Sequence, residues 1–334
     1  MKYLIYSDNH FCQYSSIIRG RGDYFSLRLE NQLKTLEWIR SVAEDNKVDA
    51  IFNLGDFFDK PDLNSEELTA LSFIRWSTDI PQYFIVGNHE MGLTNNLYSS
   101  SAVLDLPKGS TVFEKPQWFN DDIFILPYIL ESNRKPLIEY LGDKKPKIIL
   151  SHNDIKGVKL GQFISQNGFD IDEIGENCRI FINGHIHNGG NIAKNIVNIG
   201  NITGQNFNED ASLYNHKAII LDTDKNTIDE IENPYAFNFY KIDFTSGVDT
   251  SLKLKSNAVV SVKIRPQDRE NVILWLDKEG VISRRIIVDS MGEISEDYSE
   301  DVLSVDHIQK FKEFILDKLG KSELVISEVE EVVE

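Results

Sequence analysis

The chain has 334 residues, of which 41% are hydrophobic and 26% charged, and its formal net charge is -18. This length allows one large domain and a smaller one. The negative charge argues against an extended nucleic-acid surface, so any DNA contact is expected to be a local patch or to need a partner. No apolar run approaches the roughly 20 residues that span a bilayer, and two cysteines are too few for a disulfide framework. We therefore expect a cytoplasmic protein without a signal peptide or membrane segment.

Strands and helices are predicted to alternate along the first part of the chain. Residues 2–7, 49–54 and 83–86 are short apolar runs that are typical of buried strands. Ser26 is a suitable N-cap for a long amphipathic helix ending near residue 45, and a second helix begins at residue 64 or 65. This alternation predicts an α/β layered core.

Short strands continue in the second part, at residues 123–126, 148–151, 179–183, 196–199, 218–222 and 227–231. Asn233-Pro234 then marks a domain boundary. A strand at 258–264, a helix from Pro266 to 276 and a strand at 283–288 predict a small β-α-β domain. An acidic linker at 292–301 and an amphipathic helix at 305–319 follow. The predicted division is 1–232, 233–291 and 292–334.

Polar clusters follow five of the predicted strands where each strand ends. They are Asp8-Asn9-His10, Gly55-Asp56, Gly87-Asn88-His89-Glu90, His152 and Gly184-His185-Ile186-His187. The carboxyl ends of the strands form the usual ligand-facing edge of an α/β sheet, so we expect these clusters to meet there. A lone histidine is more often an ordinary core or surface residue, but five of the seven histidines fall in these motifs.

The clusters have the composition of a site for two metal ions. Two divalent ions about 3.5–4 Å apart need oxygen and imidazole ligands and a carboxylate that bridges them. Asp56 is the natural bridge, and Asn88 offers a neutral oxygen. The seven predicted ligands are Asp8, His10, Asp56, Asn88, His152, His185 and His187. This donor set suits manganese, iron or zinc better than magnesium or calcium alone.

His89 is predicted to be the catalytic residue. Phosphoester hydrolysis needs a metal-bridging hydroxide to attack phosphorus and an acid to protonate the leaving oxygen. His89 lies beside the predicted ligand Asn88 without being a ligand itself, which suits the role of acid or of transition-state stabiliser. The arginines near the first motif are candidates for phosphate contacts, although surface arginines without such a role are as common; they are Arg19, Arg21 and Arg28.

Together these motifs resemble the calcineurin-like metallophosphoesterases over about the first two thirds of the chain. Two further stretches are similar to the SbcD-type nuclease subunits of bacterial and phage recombination-repair complexes and their meiotic-recombination relatives. These stretches are Leu54-Gly55-Asp56-Phe57-Phe58-Asp59 and Asn198-Ile199-Gly200-Asn201. Phe57-Phe58-Asp59-Lys60 lacks the Asp-Arg-Gly of the serine/threonine phosphatases, and Glu90 stands where the SbcD branch usually has Asp. That departure leaves the orientation of His89 open.

The resemblance implies an α/β fold of two packed β-sheets flanked by helices, with a small DNA-capping domain and a C-terminal helix. It also implies the distribution of ligands between the two ions. One ion would be held by Asp8, His10, Asp56 and His187, and the other by Asp56, Asn88, His152 and His185.

The resemblance further implies two manganese ions, with magnesium as a substitute, and cleavage of DNA by 3′-to-5′ exonuclease and single-strand endonuclease activity. The implied partner is an SMC-like coiled-coil ATPase of the SbcC type, in a heterotetramer containing a homodimer of this chain. Residues 305–319 would dock on that coiled coil, or alternatively pack on the small domain. Two alternatives remain open: a phosphodiesterase for small or cyclic nucleotides or a protein phosphatase of the same fold, and a scaffold that has lost catalysis.

Overall fold

The computed structural model describes residues 1–74, 79–92, 109–160 and 163–289. In chain order the strands are β1 (Lys2–Tyr6), β2 (Ala50–Asn53), β3 (Gln82–Ile85), β4 (Ser110–Phe113), β5 (Gln117–Trp118), β6 (Ile123–Leu126), β7 (Ile148–Ser151), β8 (Lys159–Leu160), β9 (Phe163–Ile164), β10 (Ile180–Asn183), β11 (Gly190–Ala193), β12 (Ile196–Asn198), β13 (Lys217–Asp222), β14 (Thr227–Glu232), β15 (Asn238–Asp243), β16 (Ala258–Ile264) and β17 (Ser283–Val288). The α-helices are α1 (Leu27–Asp45), α2 (Ser65–Leu71), α3 (Leu137–Leu141), α4 (Ile171–Asn177) and α5 (Arg269–Lys278).

Two six-stranded mixed sheets form the larger part of the molecule. The first has the order β14-β13-β1-β2-β3-β4, and β1 to β4 are parallel. The second has the order β11-β12-β10-β7-β6-β5, and its four central strands are parallel. The predicted α/β fold with two sheets flanked by helices is therefore confirmed.

Alternation along β1 explains how the first sheet is buried on both faces. Tyr3 and Ile5 belong to the core between the two sheets, whereas Leu4 and Tyr6 belong to the core on the opposite face. Successive side chains of a strand point to opposite faces, so a strand buried on both sides needs a continuous apolar run. The second sheet is likewise covered on its outer face, where Leu137 of α3 and Ile174 of α4 pack.

The predicted long helix forms α1, and its N-cap is the residue that was expected. The Ser26 hydroxyl accepts a hydrogen bond from the Leu29 amide at 3.2 Å. This bond satisfies one of the four free N–H groups of the first turn. Leu36, Ile39 and Val42 recur at helical spacing and pack against the outer face of the first sheet.

A third sheet of three parallel strands comes after β14, the last strand of the first sheet along the chain. Its order is β15-β16-β17, and α5 covers one face through Val272, Trp275 and Leu276. Strands β16 and β17 and helix α5 were expected, but β15 was missed. The division into three domains stays a prediction.

The predicted acidic linker and the predicted helix at 305–319 lie outside the described residues. In the part of the chain that is described, no helix combines the length and apolarity needed to cross a membrane.

Candidate metal centre

The five motifs meet because the parallel strands of both sheets present their carboxyl ends to the same place. Asp8, Asp56 and Asn88 follow β1, β2 and β3 of the first sheet, while His152 and His185 follow β7 and β10 of the second. Backbone bonds tie neighbouring motifs together, for example from the Asp8 amide to the Gly55 carbonyl at 3.0 Å. Both sheets therefore contribute to one centre.

Four of the predicted ligands have a left-handed backbone conformation: Asp8, His10, Asp56 and His185, with φ of 53°, 47°, 48° and 72°. Such conformations cost free energy in residues other than glycine and are concentrated at functional sites. The strain indicates that the surrounding structure holds these side chains in directions that an ordinary strand end would not give.

Two motif glycines are required by close approach. A Cβ atom on Gly87 would collide with the carboxylate and the backbone of Asp56, and one on Gly184 would collide with the Ser7 hydroxyl. The absence of these side chains lets the loops carrying the predicted ligands lie in contact.

The first cluster is formed by Asp8, His10 and His187, whose ligand atoms lie within 4.8 Å of one another. The Nε2 atoms of the two imidazoles are 3.1 Å apart. Asp8 Oδ1 lies 4.0 Å from Nε2 of His10 and 3.9 Å from Nε2 of His187. Three donor atoms thus converge on one small volume.

The second cluster is formed by Asp56, His152 and His185, again within 4.8 Å. His152 Nε2 lies 3.1 Å from Asp56 Oδ2 and 3.3 Å from the amide oxygen of Asn88. Asn88 therefore joins this cluster as a neutral oxygen donor, on the side that the resemblance implied.

Asp56 lies between the two clusters. Its Oδ2 atom is 3.1 Å from His152 Nε2 and 3.8 Å from His10 Nε2, so a single oxygen faces both groups. Its Oδ1 atom accepts a hydrogen bond from the His89 amide at 2.9 Å. Because Oδ1 is used by the His89 amide, Oδ2 is the oxygen of Asp56 that faces the histidines of both clusters.

The donor set fits a pair of divalent ions. Asp8 Oδ1 is buried and has no hydrogen-bond partner among the described residues, and an unpaired buried carboxylate oxygen is costly unless a cation compensates it. Imidazole nitrogens together with carboxylate oxygens are the ligands that manganese, iron and zinc accept. The structure thus brings all seven predicted ligands together in a geometry that can hold two ions.

Three carboxylates that were not predicted orient three of the imidazoles. Asp59 lies 3.0 Å from His10 Nδ1, Glu209 lies 2.8 Å from His187 Nδ1, and Asp154 lies 3.0 Å from His185 Nε2. The fourth ring, that of His152, donates instead to the Leu54 carbonyl at 2.7 Å. Partners of this kind fix the tautomer and orientation of metal-binding histidines. Asp59 is the last residue of the stretch Leu54–Asp59 that resembles the SbcD subunits, but no motif in the sequence indicated Glu209 or Asp154.

The charges of these groups stabilise one another. Burial lowers the pKa of His152, but the Asp56 carboxylate outweighs it and raises this pKa to about 9, while the pKa of Asp56 stays well below its usual range. Burial likewise opposes protonation of His187, but the hydrogen bond to Glu209 raises its pKa to about 9. A cation that enters the centre replaces these protons as the positive charge.

His89 lies at the edge of the centre, outside the two clusters, and forms a third group with His10 and Asp59 whose ligand atoms also lie within 4.8 Å of one another. Its Nδ1 atom is 2.8 Å from the Asp59 carbonyl oxygen, and its side chain is 41% exposed. Its ring stands edge-on to that of His10, with 4.6 Å between the centroids. With Nδ1 engaged, Nε2 is the nitrogen left to face a substrate.

Glu90 connects the loops that follow β2 and β3. Its two carboxylate oxygens accept hydrogen bonds from the amides of Phe57 at 2.6 Å, Phe58 at 3.1 Å and Gly87 at 2.7 Å. Burial and the nearby Asp56 charge raise the pKa of Glu90 to about 7, although the three amides favour its ionised form. The side chain that departs from the SbcD pattern thus supports the loop carrying His89.

The three predicted phosphate-binding arginines have different environments. Arg28 is 3% exposed and donates to the His10 carbonyl at 3.3 Å and to the Gln205 side chain. Its prediction as a DNA contact is corrected, because its guanidinium supports the backbone of the site from inside. Arg21 is exposed and paired with Glu66 at 2.8 Å, and Arg19 is exposed on the same loop.

Comparison with known protein families identifies the family of the chain. The family model described as Calcineurin-like phosphoesterase matches residues 1–222. The chain belongs to this family, which indicates a metal-dependent phosphoester hydrolase.

Solved structures show a looser likeness. They include TT1561 of Thermus thermophilus (13% identity, TM-score 0.39, 69% of this chain and 98% of the other) and Yfce, a phosphoesterase from E. coli (12%, 0.32, 70% and 100%). A conserved uncharacterized protein of Streptococcus pneumoniae, a predicted phosphoesterase, has 13% identity and a TM-score of 0.29, with 70% and 91% covered. Superpositions this loose carry no argument about function. No curated protein matches the chain significantly.

Proposed function

We propose that this chain is a two-metal DNA nuclease, the SbcD-type subunit of a DNA repair or recombination complex. The observation that carries the proposal is the pair of clusters that share Asp56, with His89 beside them. One carboxylate oxygen facing two groups of imidazoles is the arrangement that two-metal phosphoester hydrolysis needs.

In this proposal seven residues would bind the two metal ions, and His89 would transfer a proton. Asp8, His10 and His187 would hold one ion, and Asn88, His152 and His185 the other, with Asp56 common to both. When bound, the ion pair supplies Lewis acidity and an activated water. His89 would deliver a proton from Nε2 to the leaving oxygen, and the Asp59 carbonyl would keep its ring in the required orientation.

Two features next to the centre support a polymeric substrate. The loop after the first motif exposes Arg19, Arg21 and two aromatic residues, Tyr14 and Tyr24, which are 70% and 76% exposed. Arginines bind phosphates, and exposed aromatic rings stack on bases. On a chain with a net charge of -18, such a loop is the local patch that DNA contact would require.

The second feature is the three-stranded sheet. Ile18 of the same loop packs with Phe237, Phe239 and Val259, and the Ser283 hydroxyl donates to the Ile17 carbonyl at 3.2 Å. The small sheet therefore contacts the segment between the first motif and α1. That contact suits the role of a capping unit which acts on DNA bound at the centre.

The proposal includes manganese as the ion, with magnesium as a substitute, and a coiled-coil ATPase as the partner. The predicted amphipathic helix at 305–319, with Ile308, Phe311 and Phe314 on one side, would be the docking segment. The acidic chain would then obtain part of its DNA affinity from the partner, in an assembly with two copies of each subunit.

The test is cleavage of end-labelled duplex and single-stranded DNA with manganese, comparing the unmodified chain with His89→Ser. We expect cleavage by the unmodified chain and loss of cleavage in the variant, with both ions still bound by elemental analysis. Rapid hydrolysis of cyclic nucleotides without DNA cleavage in any metal would replace the proposal with a small-molecule phosphodiesterase. Fewer than two ions per chain would favour a scaffold.

A further inference from the structure

The contact between His185 and Asp154 differs from the other pairs of histidine and carboxylate. It involves Nε2 of His185, which lies 3.0 Å from Asp154 Oδ1, whereas His10 and His187 use Nδ1 for their carboxylates. With Nε2 engaged, Nδ1 is the nitrogen of His185 that remains for the second cluster. The ring can serve the cluster only if it keeps this orientation.

The backbone of His185 is fixed separately from its ring. The His185 amide donates to Asp8 Oδ2 at 3.0 Å, and its φ of 72° places the residue in the left-handed region. These features determine where Cα lies but leave rotation about the side-chain bonds free. Among the described residues, the 3.0 Å contact with Asp154 is the hydrogen bond that opposes rotation of the ring.

Asp154 is in turn held by its surroundings. Its carbonyl accepts the Phe169 amide at 3.1 Å, and a side chain on Gly168 would collide with that carbonyl. Arg134 lies with an Nη atom 3.9 Å from Asp154 Oδ2. The side chains of Asp154 and Arg134 are only 18% and 7% exposed, so this is not a solvated surface pair.

Arg134 is fixed from three directions. One Nη atom pairs with the Glu131 carboxylate, the other donates to the Ile129 carbonyl at 3.0 Å, and the guanidinium carbon lies 5.2 Å from the centre of the Phe169 ring. The ring of Tyr128 lies 5.7 Å from that of His185, measured between the ring centroids. The carboxylate therefore belongs to a packed assembly and not to a mobile loop.

We infer that Asp154 is a positioning residue whose carboxylate orients the His185 ring so that Nδ1 faces the second metal cluster. The inference rests on the two-metal centre of the proposed function and does not depend on the substrate being DNA. It makes Asp154 important for the second cluster and not for the first, because Asp154 contacts neither His10 nor His187 in the described structure.

The experiment measures stepwise manganese binding by calorimetry, together with the electron paramagnetic resonance spectrum at two equivalents of manganese. Asp154→Ala removes the acceptor, Asp154→Asn keeps an oxygen at the same place, and Asp154→Glu moves the carboxylate by one methylene. Asp172→Asn on the exposed first turn of α4 is the control for loss of one negative charge. Thermal unfolding in chelator reports on the fold of each variant.

We expect Asp154→Ala to weaken the second ion by about 10- to 100-fold, which is the usual effect of removing such a partner. The first ion should bind as in the unmodified chain, and the spectrum should change from a coupled pair to an isolated ion. Asp154→Asn should recover most of the affinity, Asp154→Glu should not, and Asp172→Asn should change neither ion.

Unchanged binding of both ions in a folded Asp154→Ala variant would overturn the inference, as would equal weakening of both ions. An Asn variant as weak as the Ala variant would assign the effect to charge alone and would also overturn it. If the Ala variant does not fold, strong binding by Asn with weak binding by Glu supports the inference, and equal binding contradicts it. Two ions bound without DNA cleavage would contradict the nuclease proposal and leave this one standing.

Discussion

The two halves of the metal centre are built differently. In the first cluster both imidazoles, those of His10 and His187, are oriented by carboxylates, and Asp8 contributes a further negative charge. In the second cluster His185 has a carboxylate partner, Asp154, but His152 is oriented by a neutral backbone carbonyl, and Asn88 replaces a charged ligand by an amide. The first cluster therefore surrounds its volume with more negative charge.

This difference predicts unequal affinities. Carboxylate partners raise the basicity of metal-binding imidazoles, and additional negative charge favours a divalent cation. We expect the Asp8 cluster to fill first and the Asn88 cluster to fill at higher free metal concentration. An exchangeable second ion would be suited to a site that must also accept and release a charged substrate.

The largest effect is expected from Asp56→Asn, because Asp56 is the element that the two clusters share. The amide can still accept the His89 N–H through Oδ1, but the charge on the bridging oxygen is lost. Metal ions contribute several kcal/mol each to transition-state stabilisation, so phosphodiester hydrolysis should fall by more than about 10⁴-fold. Rates are compared with Asp229→Asn, an exposed carboxylate on β14.

Elemental analysis of Asp56→Asn should show that both ions are weakened together. Retention of the first ion at full affinity would mean that Asp56 belongs to the second cluster alone and does not bridge the two clusters.

His89→Asn should leave both ions in place and lower DNA cleavage by about 10²- to 10⁴-fold, the usual contribution of a general acid. A substrate with p-nitrophenolate as leaving group does not need protonation, so its hydrolysis should fall much less. An equal loss for both substrates would contradict the role of His89 as an acid. Loss of an ion would instead make His89 a ligand.

Much of this centre was predictable because each candidate ligand lies within four residues of the end of an apolar strand. The runs before Asp8, Asp56 and His152 are buried on both faces of a sheet, and such strands are recognisable from a few consecutive apolar residues. The edge at which parallel strands end then determines which side chains meet. The meeting of these candidate ligands could therefore be predicted without knowing how the two sheets pack.

The partners of the ligands could not be identified in this way. Glu209 lies 22 positions beyond His187, on a loop that no periodic pattern describes, and the two residues meet only after the sheet has formed. Arg28 appeared to be a surface cation, but it is buried by contacts with His10 and Gln205 that come from other elements. Strand β15 was missed because its second half alternates with exposed polar residues next to a turn.

Glu209→Ala and Asp59→Ala, which remove the accepting oxygens, should separate binding from proton transfer in the first cluster. Glu209 reaches the cluster through the ligand His187, so its variant should weaken the first ion by about 10- to 100-fold with little change in turnover once metal is saturating. Asp59 lies 3.0 Å from His10 Nδ1 and 3.8 Å from His89 Nδ1, so its variant should also lower turnover at saturating metal. Metal titrations of activity measure both quantities, and identical behaviour of the two variants would contradict this division.

The smallest effect is expected from the loop after the first motif. Arg21→Ala removes an exposed guanidinium whose ion pair with Glu66 contributes little to stability. If Arg21 neutralises one phosphate, the variant should bind DNA a few-fold more weakly and its salt dependence should fall by about one counterion. Arg40→Ala is the matched control, since Arg40 also pairs with glutamates but lies on α1 away from the motif. Equal salt dependence in both variants would remove Arg21 from the DNA surface and leave the metal centre unaffected, because no ligand of either cluster contacts this side chain among the described residues.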